Sequence, residues 1–422
     1  MRWVVTAGAV AIVIALGVWW WLKPAPRATA RMTQDVYVWQ RQWGDAVDTA
    51  VANRTTLFNR VVVLAWQITW GQPGEAPSTF HVEPNWQALR NENVGLAVRI
   101  GSYRGKFDDA SASHVAHAVE TVVKHARANG ISPVEVQLDF DAGEKQLDGY
   151  RVWLAAARQR VDVPVVITAL PSWLSARGFK NLASQAPGYV LQVHSLERPA
   201  TRDDRVVLCD AAAAQVAVER AARLGVPFRV ALPTYGYVLI FDNAGKYAGL
   251  QAEGPQKPWP AGHTKRWLGA DAGELAALMR SWEANRPAAM TGVIWYRLPV
   301  DRDRYNWRPP TLQAVMKGEK PAPNVRVHVA HRANGLREIV LENAGNDDAR
   351  GVVTIDVNWP RDAESSSDAL GGFEKRTVTA RGLILTGLAE ADDRLAPGEQ
   401  RVIGWLRLEP DMEVAAHVQA KH

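Results

Sequence analysis

The sequence contains a single cysteine, Cys209, so no disulfide bond can form within the chain. Its histidines are scattered, and no spacing of His, Asp and Glu resembles a metal site. No glycine-rich phosphate loop follows the first predicted strand, which argues against a dinucleotide-binding fold. We therefore expect neither a metal nor a cofactor.

An excess of charge of one sign is also lacking. Lys and Arg number 49 against 44 Asp and Glu, and the net charge of +5 is spread along the chain without a dense basic run. This pattern indicates a solvated surface and gives no support for nucleic-acid binding. Aromatic residues, in contrast, include 18 tryptophans, more than either Phe or Tyr. A flat indole can cover the apolar face of a sugar ring, so this surplus favours a carbohydrate partner.

The N-terminal segment has the composition of a membrane helix. Residues 3–22 carry no charge and are long enough to span a bilayer. The run ends in the tryptophan cluster at 19–21, which is typical of a membrane interface. The alternative is a secretory signal peptide cleaved near Ala28-Thr29-Ala30. We expect residues 1–31 to be a signal anchor or signal peptide. The body would then face the periplasm from the inner membrane, or be secreted.

Short apolar runs recur after residue 32 and alternate with helical patterns. The runs are 36–39, 60–66, 94–100, 134–141, 163–170, 188–194, 228–235 and 291–298. Helical patterns cover 114–129, 147–160 and 211–224, and a cap signal at Asp271 precedes another. Eight such units predict a closed (β/α)8 TIM barrel over residues 32–319. A doubly wound open sheet is the structural alternative.

The pattern of predicted secondary structure changes after a proline-containing linker at 320–323. Short strand patterns follow at 325–329, 338–342, 352–359, 376–379 and 401–408, with turn signals between them and no helices. Residues 320–422 are therefore predicted to form a small β-sandwich. No constellation of residues in this accessory domain points to chemistry.

The fourth predicted strand, VEVQLDFD, alternates apolar with polar residues. Glu135, Gln137, Asp139 and Asp141 share one face. If this face met the helical layer, the carboxylates would be buried among apolar side chains at a high cost. The polar column is therefore predicted to point into the barrel, with Asp141 nearest the open end, where barrel enzymes place their active sites.

This strand resembles the D-G-x-D-x-D-x-E motif of the chitinase-like glycoside hydrolases of family 18. Asp139 falls on the last Asp of the motif and Asp141 on its catalytic Glu, while Val134 and Gln137 occupy the two earlier Asp positions. The segments YVWQRQW, LDFD, TALPSWL and VLQVH are similar to a bacterial family of exported proteins, domain of unknown function 3142. That family carries no assigned activity.

The family 18 resemblance implies a substrate-assisted, retaining hydrolysis in which the acetamido group of the sugar attacks. Asp141 is then the general acid and Asp139 the carboxylate that steadies the acetamido group. Residues two apart on a strand lie about 6.8 Å apart along it, a spacing that side chains can close toward that of a retaining pair. Because Asp is shorter than Glu, Glu144 is kept as a substitute acid.

Further candidates for sugar binding lie on the polar column, at the ends of other strands or in the loops after them. They are Gln137, Glu135, Trp39, Arg41, Trp66, Gln67, Arg99, Trp173, Gln192, His194, Tyr235, Tyr237, Trp295 and Tyr296. A slip of one residue decides whether Trp295 or Tyr296 forms the floor of the sugar pocket. The long loop at 238–269 is expected to overhang the open end.

Three functions fit these patterns. The first is an exported, membrane-anchored glycoside hydrolase that acts on an N-acetylated polysaccharide or oligosaccharide. The second is a carbohydrate-binding barrel without catalysis, which the replacement of the motif Glu by Asp141 favours. The third is an envelope scaffold whose β-sandwich recruits a protein partner that the sequence does not identify.

Overall fold

The computed structural model describes residues 26–71, 75–256, 258–363, 366–388, 390 and 393–419. The uncharged run at 3–22, predicted to be an anchor or signal helix, lies outside these ranges. Within them, no helix combines the length and the apolar composition that a membrane crossing requires.

Eight parallel strands form the centre of the larger domain. They are β1 (Thr33–Val38), β2 (Arg60–Thr69), β3 (Val94–Ile100), β4 (Glu135–Phe140), β5 (Val165–Ala169), β6 (Tyr189–Gln192), β7 (Phe228–Pro233) and β8 (Met290–Tyr296). Each strand pairs in parallel with its sequence neighbour, and β1 also pairs with β8. The sheet is therefore a closed barrel, as predicted, and the open doubly wound alternative is wrong.

Helices return the chain from one strand to the next around the outside of the barrel. They are α1 (Asp45–Arg54), α2 (Asp109–Ala128), α3 (Leu147–Arg160), α4 (Arg177–Ala183), α5 (Ala211–Ala222), α6 (Ala272–Asn285) and α7 (Pro309–Met316). The predicted cap of α6 is present, because the side chain of Asp271 accepts a 2.9 Å hydrogen bond from the backbone N–H of Glu274. The connection from β2 to β3 differs: it contains the antiparallel strand Ser78–His81 and the 3-10 turn Trp86–Leu89.

The predicted loop at 238–269 is a three-stranded antiparallel sheet, which we call the insertion sheet. Its strands are Gly236–Phe241, Tyr247–Gln251 and Thr264–Gly269, with the first in the centre. Alternate residues of the central strand pack on opposite faces. Leu239 packs with Tyr235 and Tyr237 on one face, whereas Val238 packs with Tyr305 on the other.

Two antiparallel four-stranded sheets follow the barrel. The strands are β9 (Val325–His331), β10 (Leu336–Asn343), β11 (Val353–Asn358), β12 (Ser366–Ala369), β13 (Glu374–Thr379), β14 (Gly382–Gly387), β15 (Gln400–Arg407) and β16 (Ala415–Val418). The sheet orders are β9-β10-β15-β12 and β13-β14-β11-β16. Leu341 and Ile403 of one sheet share a buried core with Ile355 and Leu385 of the other. This is the predicted β-sandwich.

The interior of the barrel is arranged in layers, as in other barrels of this class. The middle layer is apolar. It contains Tyr37, Val62, Ala97, Val190, Ala231 and Ile294. Charged side chains lie below it, at the amino ends of the strands. The candidate site lies above it, at the carboxyl ends.

Candidate functional site

A cavity of about 460 Å³ opens at the carboxyl ends of the barrel strands. Its volume lies within the range of small-molecule sites, roughly 300–1,000 Å³. The residues that line it are Tyr37, Trp39, Arg99, Asp139, Asp141, Leu170, Gln192, His194, Ser195, Ala231, Tyr235, Tyr237 and Tyr296. Nine of these were candidates from the sequence, and the structure brings them together.

Asp139 is the most buried carboxylate of this cavity, with 9 % of its surface exposed. Its Oδ1 accepts two 2.9 Å hydrogen bonds, from Oγ1 of Thr168 on β5 and from Nε2 of Gln192 on β6. Burial, and secondarily the charge of Asp141, raise the pKa of Asp139 to about 6, although Arg99 and the two hydrogen bonds oppose the rise. Asp139 therefore changes charge close to neutral pH.

Asp141 lies one step beyond the end of β4, at the exposed rim of the cavity. Partial burial of its carboxylate raises the pKa of Asp141, and the positive charge of Arg99 opposes this rise. Arg99 is in register with Asp139 on the neighbouring strand β3. In the part of the chain that the structure describes, the guanidinium of Arg99 acts on both carboxylates through its charge but forms no hydrogen bond with either.

Aromatic rings form one side of the cavity. The rings of Tyr37, Trp39 and Tyr296 pack edge to face around one another, with centroids 5.2 to 5.8 Å apart. Tyr235 joins this cluster, with its ring 5.7 Å from that of Tyr296. The cavity thus combines flat apolar surfaces with two carboxylates.

His194 is uncharged at neutral pH, because burial lowers its pKa to about 4. Its Nδ1 lies 3.1 Å from the hydroxyl of Tyr235, and its ring stacks on Tyr296 with the centroids 5.5 Å apart. Its Nε2 has no hydrogen-bond partner among the described residues. A neutral imidazole in this place can donate or accept a hydrogen bond to a ligand, but it does not supply charge.

The lower half of the polar column does not reach the cavity, which corrects the prediction for Glu135 and Gln137. Glu135 forms ion pairs with Arg60 and, at 2.7 Å, with Arg229, and Arg229 also binds Asp35 at 2.6 Å. Gln137 donates to Glu135 at 2.6 Å and accepts a 2.5 Å hydrogen bond from the Tyr37 hydroxyl. These polar groups bind one another below the apolar layer and do not line the cavity at the carboxyl ends of the strands.

A β-bulge corrects the prediction for Trp66. The register between β2 and β3 shifts after Leu64, so that Trp66 pairs with Val98 and Gln67 with Arg99. Trp66 therefore faces outward, where its ring lies against His81 with 3.4 Å between the centroids. Gln67 takes the inward position beside Arg99, but it does not line the cavity.

Two further tryptophans belong to the core between the barrel and its helices. Trp173 is buried, and its indole N–H donates a 3.0 Å hydrogen bond to the backbone carbonyl of Ala142. Trp295 is buried as well and donates to Gln34 at 3.0 Å. The one-residue ambiguity is thus resolved in favour of Tyr296, which faces the cavity.

The remaining predicted residues lie at the surface. Glu144 is exposed on the 3-10 turn Glu144–Gln146, and Arg41 is exposed after β1; neither lines the cavity. In the described ranges, no group of three His, Cys, Asp or Glu side chains is arranged to hold a metal ion.

The sequence patterns do not identify five residues of the site: Tyr37, Thr168, Leu170, Ser195 and Ala231. The signal for Tyr37 was available, because it lies two residues before Trp39 and therefore on the same face of the strand. Thr168 contributes through its hydrogen bond to Asp139, a contact between side chains 29 residues apart. Nothing in the local sequence specifies that contact.

Two family models match the chain. Residues 95–301, from β3 to just after β8, match a domain of unknown function (DUF3142). Residues 326–409, within the β-sandwich, match a second domain of unknown function (DUF8456). The resemblance to domain of unknown function 3142 is therefore confirmed for residues 95–301, which contain six of the eight barrel strands. No curated protein matches the chain.

Several solved structures are similar to the chain at low sequence identity. A chitinase from Chromobacterium violaceum is 14 % identical, with 68 % of this chain and 99 % of that chain covered and a TM-score of 0.46. The spore cortex-lytic enzyme SleL of Bacillus cereus is 10 % identical, with 69 % and 75 % covered and a TM-score of 0.46. The chitinase ChiA74 from Bacillus thuringiensis is 10 % identical, with 92 % and 100 % covered and a TM-score of 0.43. The activities in these names are those of the matched proteins.

Proposed function

We propose that this protein is a glycoside hydrolase that acts on an N-acetylated polysaccharide, with Asp139 and Asp141 as its catalytic pair. One observation carries the proposal: the two carboxylates at the end of β4 line the same aromatic cavity at the open end of the barrel. The buried member of the pair has a pKa of about 6. Carboxylates with raised pKa values in a cleft are typical of acid–base catalysis.

The mechanism is the substrate-assisted one that the family 18 resemblance implies. The acetamido oxygen of the bound sugar attacks the anomeric carbon, and the bond from that carbon to the glycosidic oxygen breaks. Asp141 gives its proton to the departing oxygen. Water then attacks the anomeric carbon, Asp141 recovers a proton from that water, and the acetamido group is released with the original anomeric configuration.

The surroundings of Asp139 suit the steadying role. Its Oδ1 is held by Thr168 and Gln192, so the carboxylate has a fixed orientation and its Oδ2 is left for the substrate. With a pKa of about 6, Asp139 is mostly ionised at pH 7. The ionised carboxylate can accept a hydrogen bond from the N–H of the acetamido group and stabilise the positive charge that develops on that group.

Asp141 suits the acid role through its position and its raised pKa. It stands at the rim, where a glycosidic oxygen of a polymer entering the cavity would pass. Burial raises the pKa of Asp141 and so increases the protonated fraction near neutral pH. Because the side chain is one methylene shorter than Glu, the glycosidic bond has to lie deeper in the cavity than it would beside a Glu.

A non-catalytic carbohydrate-binding barrel is the second candidate. The observation that favours it is that Asp141 is exposed and, within the described part of the chain, its carboxylate accepts no hydrogen bond that would hold it in place. The aromatic cluster of Tyr37, Trp39 and Tyr296 would then bind the glycan without turnover.

We also propose that the protein is exported and either anchored in the inner membrane facing the periplasm or secreted. The uncharged run at residues 3–22 supports this proposal. Protease added to intact spheroplasts should digest the barrel if it faces outward. Protection of the barrel until the spheroplasts are lysed would contradict export.

The function is tested by incubating the purified full chain with peptidoglycan, bacterial exopolysaccharides and chitin-type oligomers, and detecting new reducing ends by mass spectrometry. Asp141→Asn removes the acid but keeps the size of the side chain. Glu144→Gln is the matched control, because Glu144 is exposed outside the cavity three residues further on. We expect products from the wild type and from Glu144→Gln, and none from Asp141→Asn.

Two other outcomes would contradict this proposal. Equal product from the wild type and Asp141→Asn would refute the assignment of the acid. Glycan binding without product in all three proteins, lost on Tyr296→Ala, would favour the binding barrel.

A further inference from the structure

A second and larger cavity, of about 810 Å³, lies between the barrel and the β-sandwich. We call it the interdomain cleft. The barrel contributes Trp267 of the insertion sheet, the start of α6 and the segment Tyr305 to Trp307. The sandwich contributes Asp347, Asp348 and Arg350, from the loop between β10 and β11.

The interdomain cleft is separate from the cavity that Asp139 and Asp141 line at the carboxyl ends of the strands, which we call the carboxylate cavity. Tyr237 of the insertion sheet lines the carboxylate cavity. The next residue, Val238, points to the other face of the sheet and packs with Tyr305, which lines the cleft. The insertion sheet therefore lies between the two cavities. A ligand in the interdomain cleft does not contact Asp139 or Asp141.

Three side chains of the cleft carry buried polar atoms without a protein partner among the described residues: Asn306 Oδ1, Asp348 Oδ1 and Arg350 Nη1. Asn306 is 1 % exposed, and its Nδ2 donates to Asp303 at 3.1 Å. The second oxygen of Asp348 accepts from Arg350 at 3.1 Å and from Arg394 at 2.9 Å. The side chains are therefore held in place, and one polar atom of each is buried without a hydrogen-bond partner among the described residues.

The position of Arg350 is fixed from a second direction. Its guanidinium lies over the ring of Trp267, 3.9 Å from the ring centroid, in a cation–π contact across the two domains. Arg394 strengthens the same junction, because it donates to the backbone carbonyls of Asp303 and Asn306. The polar atoms on the two sides of the cleft are thus arranged before any ligand arrives, which lowers the ordering cost of binding.

The mixture of groups identifies the chemistry of the ligand. A simple anion would be repelled by Asp347 and Asp348, and a simple cation by Arg350 and Arg280 at the other side. A hydroxyl group both donates and accepts hydrogen bonds, so neighbouring hydroxyls of one ligand can bind a carboxylate and a guanidinium together. The aromatic side chains Trp267 and Trp307 add apolar surface.

We propose that the interdomain cleft is a binding site for a neutral oligosaccharide, distinct from the carboxylate cavity. The partly exposed side chains of Asp348 and Arg350 bind sugar hydroxyls, and Trp267 and Trp307 contact the apolar faces of the sugar rings. The volume of the interdomain cleft lies within the range of small-molecule sites. The proposal does not require that the protein hydrolyse glycans, because the cleft shares no lining residue with the catalytic pair.

The test uses Ala277, an exposed residue of α6 that lines the cleft. Ala277→Trp fills the cleft and removes no hydrogen bond of the native side chain. Ala284→Trp is the matched control, because Ala284 is exposed on the same helix and lies outside the cleft lining. Isothermal titration of the full chain with cellotetraose and with chitotetraose, up to millimolar concentration, measures affinity and stoichiometry.

We expect Ala277→Trp to weaken one binding component about tenfold or more for at least one of the two probes, while Ala284→Trp and Asp141→Asn retain it. Arg350→Gln, which keeps the size but loses the guanidinium, should weaken the same component. The proposal would be overturned if Ala277→Trp bound both probes with the affinity and stoichiometry of the wild type. It would also be overturned if the wild type bound neither probe. Because Asp141→Asn abolishes turnover alone, failure of the cleft and failure of the hydrolase proposal are distinguishable.

Discussion

Thr168 and Gln192, on two neighbouring strands, donate hydrogen bonds of equal length, 2.9 Å, to the same oxygen of Asp139. Burial disfavours the ionised form of the Asp139 carboxylate, and these two hydrogen bonds stabilise that form. The balance leaves the pKa of Asp139 at about 6, raised above its ordinary value of 3.8. A buried carboxylate maintained at this cost to folding is typical of a functional site.

The first prediction concerns the stability that Asp139 costs. Because the pKa of Asp139 is raised on folding, the unfolded chain ionises first as the pH rises, and stability falls between pH 3.8 and about 6. Asp139→Asn removes this penalty and still offers an oxygen to Thr168 and Gln192. We expect its free energy of unfolding at pH 7 to be about 2–3 kcal/mol higher than that of the wild type. The gain should disappear at pH 3.5.

Urea unfolding at the two pH values measures this difference. Glu144→Gln, an exposed carboxylate on the same side of the barrel, is the control and should change stability little at either pH. A gain of the same size at both pH values would show that the charge of Asp139 is not its cause.

The second prediction concerns His194, whose pKa is lowered to about 4 by burial. A histidine with a lowered pKa contributes stability above the pKa of the unfolded chain, and this contribution is lost as the pH falls from about 6.5 toward 4. His194→Gln should therefore lose less stability than the wild type between pH 7.5 and pH 4.5. The difference should be about 1–2 kcal/mol after allowance for the partial exposure of the ring. Equal acid sensitivity of the two proteins would mean that His194 titrates normally.

The third prediction separates two adjacent aromatic residues. Trp295→Phe leaves Gln34 without its 3.0 Å donor in the core, and it should lower the free energy of unfolding by about 1–3 kcal/mol with glycan affinity unchanged. Tyr296→Ala removes a ring of the carboxylate cavity and should weaken glycan binding about tenfold or more. Thermal unfolding and titration calorimetry are measured on both proteins. A loss of affinity in Trp295→Phe equal to that in Tyr296→Ala would contradict the orientation of β8.

The fourth prediction concerns the ion pairs at the amino ends of the strands. Glu135→Gln leaves Arg229 and Arg60 without one of their partners and should cost about 3–5 kcal/mol of stability, because a buried charge loses its compensation. Glu120→Gln, which breaks the surface pairs of Glu120 with Lys124 and Arg160, is the control and should cost at most about 1 kcal/mol. Urea unfolding measures both, and equal effects would mean that the pair of Glu135 is solvated.

The alternation of residues on one strand carries much of what the sequence can predict about this site. It identifies the face shared by Asp139 and Asp141 and the apolar runs of the other barrel strands. The alternation does not distinguish Glu135 and Gln137 from the two aspartates of the cavity. The difference depends on the ion pair of Glu135 with Arg229, which lies 94 residues away on β7. Long-range partners of this kind leave no local signal.

Register is the second quantity that the sequence does not determine. The bulge after Leu64 turns Trp66 outward and Gln67 inward, although an unbroken period of two predicts the reverse. Helix α1 was not predicted, because its sequence, DAVDTAVANR, has few large apolar residues and no strong stripe. In these places tertiary packing determines the structure more than the local pattern does.

The pH dependence of kcat/KM on a glycan that the protein cleaves tests the central claim most directly, when the wild type is compared with Thr168→Val. The ionised carboxylate of Asp139 has to steady the acetamido group while Asp141 keeps its proton, so kcat/KM should pass through a maximum with pH, and one of the two steps should lie near pH 6. Thr168→Val has almost the same shape but loses one hydrogen bond to the ionised form, which moves the step to higher pH. A profile without a step between pH 5 and 7, or a step that Thr168→Val does not move, would contradict a catalytic role for Asp139.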